Sequence, residues 1–229
     1  MGGEDGWDWL EGRWAAETRH LKAPFRSTEC ECQQGQFKKW PKSDCDALMA
    51  TLVGVIHECK LYGFASIVPV QAYRRAFHGA GKRDAFFLAV TQTVMNMAHI
   101  ANQINQDVAL WFEDGPAAGR TVNIFHSVKK MNWKPAKRLR SITLDSKELR
   151  PLQSADLVAR EAFKHIQNLG VRPTRKPIIQ MRDVLYFIEW SVPALEYLAQ
   201  NGGPANLQLL SEWDSRKDAP HLHMFWKRF

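Results

Sequence analysis

Apolar residues recur along the chain at helical and strand-like spacings, dividing it into alternating elements. Trp7, Leu10, Trp14 and Leu21 fall on one stripe of a helix over residues 3–22. Residues 23–42 are polar and irregular and read as a surface loop. Ser43 and Asp46 approximate a capping box ahead of Leu48, Met49, Leu52, Val53, Ile56 and Cys59, and Gly63 stops that helix. Phe64–Val70 is a short apolar run with β-branched residues, bounded by Gly63 and Pro69, and predicts a buried strand. Past Gly79 and Gly81, a helix over residues 84–104 carries Phe87, Leu88, Thr91, Val94, Met95, Ala98 and Ile104. Phe87, Met95 and Met97 read as core filling.

Asp107–Phe112 predicts the next strand, and Glu113-Asp114-Gly115 turns it into a helix opened by Pro116 and Ala117 that runs to Lys130. Ser141–Leu144 predicts a third strand. Pro151 suits the first turn of a helix over 151–168, the clearest amphipathic segment of the chain. Its apolar face is Leu152, Ala155, Ala159, Ala162, Phe163 and Ile166. A basic stretch broken by prolines, Arg172–Pro177, leads to a last long helix over 180–199 that ends before Asn201-Gly202-Gly203. The tail carries His221, His223, Trp226 and Phe229. Short strands between long helices predict an α/β fold. The length of 229 residues suits a single domain over 1–229, with 170–229 as a helical C-terminal extension.

Composition narrows the field. Hydrophobic residues make up 45% and charged residues 24%, a globular balance. No apolar run approaches the roughly 18 residues needed to cross a bilayer, and no basic-apolar leader opens the chain, so a cytoplasmic protein without membrane contact is expected. Cys30, Cys32, Cys45 and Cys59 do not form the two close pairs of a common zinc site and read as reduced thiols. No phosphate-binding loop of the Walker type, dinucleotide fingerprint, HExxH or nucleophile elbow is present, which removes the usual support for NTPase, nicotinamide-enzyme and zincin readings.

The net charge is +7, and most of the excess is local. Between Ser127 and Arg150 lie Lys129, Lys130, Lys134, Lys137, Arg138, Arg140, Lys147 and Arg150, opposed only by Asp145 and Glu148, with Met131 and Trp133 interleaved. Such a stripe attracts a phosphate backbone, and Lys129, Lys130, Lys134, Lys137, Arg138 and Arg140 are the candidate nucleic-acid contacts. A merely solvated basic face accounts for the same pattern.

Two carboxylates stand out by context. Glu113 ends a predicted strand and precedes a helix, where ligands of open α/β sheets collect. As a plain alternative, it forms a turn with Asp114 and Gly115. Asp156 borders the apolar face of its helix beyond the first turn, where the helix dipole gives it little. Either it forms a surface pair with Arg160 at i+4, or it is a metal-binding carboxylate directed into a crevice. In the second case Glu113 and Asp156 together would hold Mg²⁺ or Mn²⁺ for phosphate chemistry, with His126 as a candidate proton shuttle.

The segment Leu152-Gln153-Ser154-Ala155-Asp156-Leu157-Val158-Ala159 resembles the C-terminal LQ-x-ADL-x-A helix of the DUF3800 family, prokaryotic and phage proteins related to the ribonuclease H-like fold. The strand with Glu113 and its Asp114-Gly115 turn is similar too. So is Phe25-Arg26-Ser27-Thr28-Glu29 followed by Gly35-Gln36-Phe37, with Arg26 where the family has histidine. The resemblance implies a ribonuclease H-like sheet and a divalent-metal-dependent nuclease, with Glu113 and Asp156 as ligands and Glu29 as a third. The family's opening strand ending in DESG has no counterpart, since Gly3-Glu4-Asp5-Gly6 follows no apolar run. The expected fold is therefore incomplete at its N-terminal meander, leaving a sheet edge near Phe64–Val70 or Val108–Phe112 for a homodimer or a partner protein to cover. Two other functions fit the same residues: nucleic-acid binding by a catalytically degenerate relative, and protein interaction.

Overall fold

A computed structural model of the chain describes residues 1–59, 61–78, 82–203 and 206–212. Its elements, in chain order, are α1 (Glu4–Thr18), α2 (Ser27–Glu31), α3 (Lys42–Glu58), β1 (Gly63–Ile67), α4 (Val70–Ala76), α5 (Lys82–Gln103), β2 (Val108–Glu113) and α6 (Ala118–Lys129). They continue with β3 (Leu139–Asp145), α7 (Arg150–Asn168), α8 (Lys176–Met181), β4 (Leu185–Glu189), α9 (Val192–Gln200) and α10 (Leu207–Glu212). Short 3₁₀ turns at Gly35–Phe37 and Lys134–Arg138 complete the set. The tail histidines His221 and His223, with Trp226 and Phe229, lie outside the described residues.

The chain divides into two compact units, the first built from Met1–Ala65 and Asp145–Phe187, the second from Ser66–Leu144 and the segment starting at Ile188. In unit 1, α3 packs against α1, α2, α7 and α8. Leu10, Trp14, Phe25, Phe37, Leu52, Val53 and Met181 are buried there. Phe25 meets Trp14 and Phe37 edge-on, with ring centroids 5.9 and 6.2 Å away. In unit 2, α5 packs on α6 and on the Lys134–Arg138 turn, and α4 packs on α9. Leu88, Val94, Ala98, Phe125, Val128, Ala136 and Leu139 are buried there.

The strands do not form the expected sheet. Among the described residues β1 pairs only with β4 and β2 only with β3, giving two separate parallel two-stranded sheets in a mostly helical structure. A ribonuclease H-like fold requires one continuous mixed sheet, so that architecture, even in a form truncated at the N-terminal meander, is overturned. Between β2 and β3 the chain crosses over through α6, the connection that parallel neighbours require.

Three further expectations are corrected. The helix predicted over 180–199 contains β4, whose Leu185, Phe187 and Ile188 are buried; a short continuous apolar run has no period that separates strand from helix. The predicted loop over 23–42 contains α2 and a 3₁₀ turn. Among the described residues no side chain caps α3, which starts at Lys42; Ser43 donates its hydroxyl to Asp44 and Asp46 pairs with Lys42 at 2.7 Å.

The largest correction concerns α7. It buries Gln153, Ser154, Leu157, Glu161, Ala162 and His165. Of its predicted apolar face, Ala155, Ala159 and Phe163 are exposed, Leu152 and Ile166 are half-buried, and only Ala162 is buried. The more polar stripe therefore faces the protein and the apolar stripe faces solvent. Among the described residues, no helix is long and apolar enough to cross a membrane.

Candidate functional site

Gln153 and Asp156, from the helix motif that carried the family resemblance, are engaged in holding unit 1 together. Gln153 Oε1 accepts from the Trp14 indole N–H at 3.0 Å and from the Phe25 backbone N–H at 3.2 Å. Its Nε2 donates to the carbonyls of Lys147 and Glu148 at 3.0 and 3.2 Å. One amide thus fills both acceptor and both donor positions, tying α7 to α1, to the backbone at Phe25 and to its own leading loop. Asp156 Oδ2 accepts from the Ser27 hydroxyl at 2.7 Å and from the Ser27 backbone N–H at 3.4 Å. Ser27 opens α2, so the carboxylate satisfies an N–H that the helix leaves unpaired.

A chain of ion pairs continues along the same helix. Arg160 donates through Nε and Nη2 to Glu31 at 3.1 and 3.0 Å, and Lys164 pairs with Glu31 as well. Glu161 is fully buried and receives both arms of Arg175, at 2.8 and 3.1 Å. Burial, and then the neighbouring Arg175, push Lys164 down to about 8. Glu29 pairs with Arg26 at 3.8 Å. Its carboxylate also lies against Gly35, which sits at φ +55°, so any side chain there would meet both backbone strain and a collision.

Glu113 and His126 lie in unit 2. Glu113 is exposed as the last residue of β2, and His126 is exposed on α6 with its ring edge-on to Phe125 at 5.5 Å. Glu29 and Asp156 belong to unit 1. Among the described residues, no three His, Cys, Asp or Glu side chains gather where they could hold a metal ion. The donor set expected for Mg²⁺ or Mn²⁺ does not fit, because Asp156 serves Ser27, Glu29 serves Arg26, and Glu113 joins no acidic cluster. The expectation of a metal-dependent nuclease is corrected on that ground, and with it the hydrolase and magnesium assignments.

The cationic stretch is divided between internal and solvent-facing groups. Asp107, just before β2, is held between Arg138 and Arg140, and the hydrogen bond from Arg140 lowers its carboxyl below the usual range. Arg138 also donates to Asn105. Lys129 donates to the Arg140 carbonyl at 2.6 Å and lies 5.7 Å from the Phe125 ring. Lys130, Lys134 and Lys137 are exposed and have no carboxylate partner among the described residues. Pro135 and Ala136 anchor the 3₁₀ turn in the core, and three residues per turn bring Lys134 and Lys137 to one side, ~6 Å apart along its axis.

Sequence reasoning missed Gln153, Glu31, Glu161 and Arg175. A signal was present in the first and third: Gln153, Leu157, Glu161 and His165 recur every four residues, placing three polar side chains on one line of the helix. No family model, curated protein or solved structure matches the chain. The resemblance to the DUF3800 family is therefore withdrawn, since neither a matching family nor the required sheet supports it.

Proposed function

We propose that the chain binds nucleic acid through the cationic face of unit 2 and that this binding does not depend on hydrolysis. The observation that carries the reading is the run Lys129–Arg140, where Asp107 and Asn105 engage the arginines and Lys130, Lys134 and Lys137 are exposed with no carboxylate partner among the described residues. Cations without an internal partner can displace the counterions around a phosphate backbone, and releasing those ions drives association. The anchored 3₁₀ turn presents two of the lysines on one rigid side, which reduces the ordering cost of contact. Trp111, exposed on β2 in the same unit, offers an aromatic ring on which unpaired bases stack. Arg138 and Arg140 orient the turn through Asp107 and keep further donors for phosphate oxygens.

Fluorescence anisotropy with labelled duplex and single-stranded oligonucleotides, titrated across salt concentrations, tests this. The triple variant K130E/K134E/K137E is expected to bind at least ~10-fold more weakly, with the slope of log K against log salt on duplex reduced by ~0.9 per phosphate that is no longer neutralised. An unchanged affinity, or no binding by the wild type at low salt, defeats the proposal.

A further inference from the structure

The outward stripe of α7 is exposed at Ala155, Ala159 and Phe163 and half-buried at its two ends, Leu152 and Ile166. At about 100° per residue, Leu152, Ala155, Ala159, Phe163 and Ile166 lie on one narrow line, opposite the line of Gln153, Leu157, Glu161 and His165. Phe163 is 53% exposed on it. A charged or polar residue at Ala155, Ala159 or Phe163 would cost little if the face met only water, yet the line is apolar throughout.

We infer that this stripe is a self-association surface, and that two copies of the chain pair through antiparallel α7 helices about a two-fold axis at Ala159. In such a pair, residues equally distant from Ala159 on either side face one another. Phe163 and Ala155 are each four positions from it, so the large ring of one copy seats over the small side chain of the other, and this happens twice. Ile166 and Leu152 are each seven positions away and match as apolar partners. Ala159 meets Ala159 at the crossing, where small side chains let helix axes approach to ~8 Å.

The charged flank is complementary in the same register. Two-fold symmetry brings the same flank of both helices together, and Asp156 and Arg160 share that flank. Asp156 of one copy then lies ~3 Å along the axis from Arg160 of the other, within reach of an arginine. Both groups are half used: Asp156 engages Ser27 through Oδ2 alone, and Arg160 engages Glu31 through Nε and Nη2 alone. Asp156 Oδ1 and Arg160 Nη1 are left for two reciprocal ion pairs, while on the other flank Ala162 is already buried within unit 1. An antiparallel arrangement also opposes the two helix dipoles favourably.

Sedimentation velocity over a range of protein concentrations, on the full chain, reads the outcome. The wild type is expected to form a dimer, and Phe163→Asp to raise its dissociation constant at least ~100-fold, because each copy loses a buried ring. An unchanged circular dichroism melting profile for F163D separates loss of pairing from loss of fold. In a Cys32→Ser background, Ala159→Cys treated with oxidised glutathione is expected to give a disulfide-linked dimer, since the axis brings residue 159 against itself. A wild type that stays monomeric, its stripe covered by another segment of the chain or by a different protein, overturns the inference. So does a dimer indifferent to F163D, or one that A159C fails to trap.

Discussion

Charged side chains in the two units face opposite ways. Along α7 of unit 1, Asp156, Arg160, Glu161 and Lys164 all engage Ser27, Glu31 or Arg175, and apart from the exposed Asp156 the middle of the helix offers Ala155, Ala159 and Phe163 to the solvent. Between α6 and β3 of unit 2, Pro135, Ala136 and Leu139 go inward and three lysines go out. A buried ion must be paired, because an unpaired charge in a low-dielectric interior is costly; once paired, it becomes part of the scaffold. An exposed ion is held by little and remains available to a ligand. Of the acids of unit 1, Glu161 is buried and paired, while Asp156 and Glu29, which suggested chemistry, are not buried but are engaged by Ser27 and Arg26; the lysines of unit 2 have no carboxylate partner among the described residues.

The sharpest test of this contrast is Arg175→Ala, which strands the fully buried Glu161 carboxylate and should cost about 3–5 kcal/mol in urea denaturation. Replacing both partners, Glu161→Leu with Arg175→Met, should recover most of that loss, because no buried charge is then left unpaired. Gln153→Ala comes next. It leaves the buried Trp14 N–H and the Phe25 N–H without acceptors and should cost about 3 kcal/mol by the same measurement. A smaller effect is expected for Asp156→Ala, about 1 kcal/mol, and a double-mutant cycle with Ser27→Ala should show that the two losses are not additive. The triple lysine variant of unit 2 should change stability by no more than about 0.5 kcal/mol while weakening nucleic-acid binding, which would separate recognition from scaffold. Chemical labelling gives the mildest readout. Burial, and then the adjacent Cys45, push the Cys30 thiol up to about 12, and Cys45 and Cys59 are also buried, so iodoacetamide at neutral pH should modify Cys32 alone in the folded chain.

Element identity was largely legible because it is local. The stripes of α1, α3 and α5, the order β2, α6, β3 and the extent of α7 all follow from periodicity and from Gly and Pro punctuation, whereas the pairing of β2 with β3 does not. Orientation was not. The periodicity of α7 identifies two faces but does not say which one is inside; reading the apolar face as core assumed a partner that unit 1 does not provide. Site residues failed for a related reason. Asp156 was expected either to pair with Arg160 one turn away or to bind a metal; instead it reaches Ser27 and Arg160 reaches Glu31, each 129 positions off. Such pairings depend on how α2 and α7 dock, which no local window contains. The lysine run was legible as a charge pattern, but its division into anchored arginines and free lysines required the position of Asp107.

The four bonds of Gln153 bear on how the chain comes to be folded. Trp14 leaves the ribosome 139 positions ahead of the amide that accepts its indole proton, and all of unit 2 up to Leu144 is made in between. During that interval the first 65 residues carry an aromatic cluster with one of its walls missing, a period when a holding chaperone would find apolar surface to grip. In unit 2, α5, α6 and β2–β3 are contiguous in synthesis and can pack on one another at once, and only α4 waits for α9, made after Asp145–Phe187 of unit 1, to cover it.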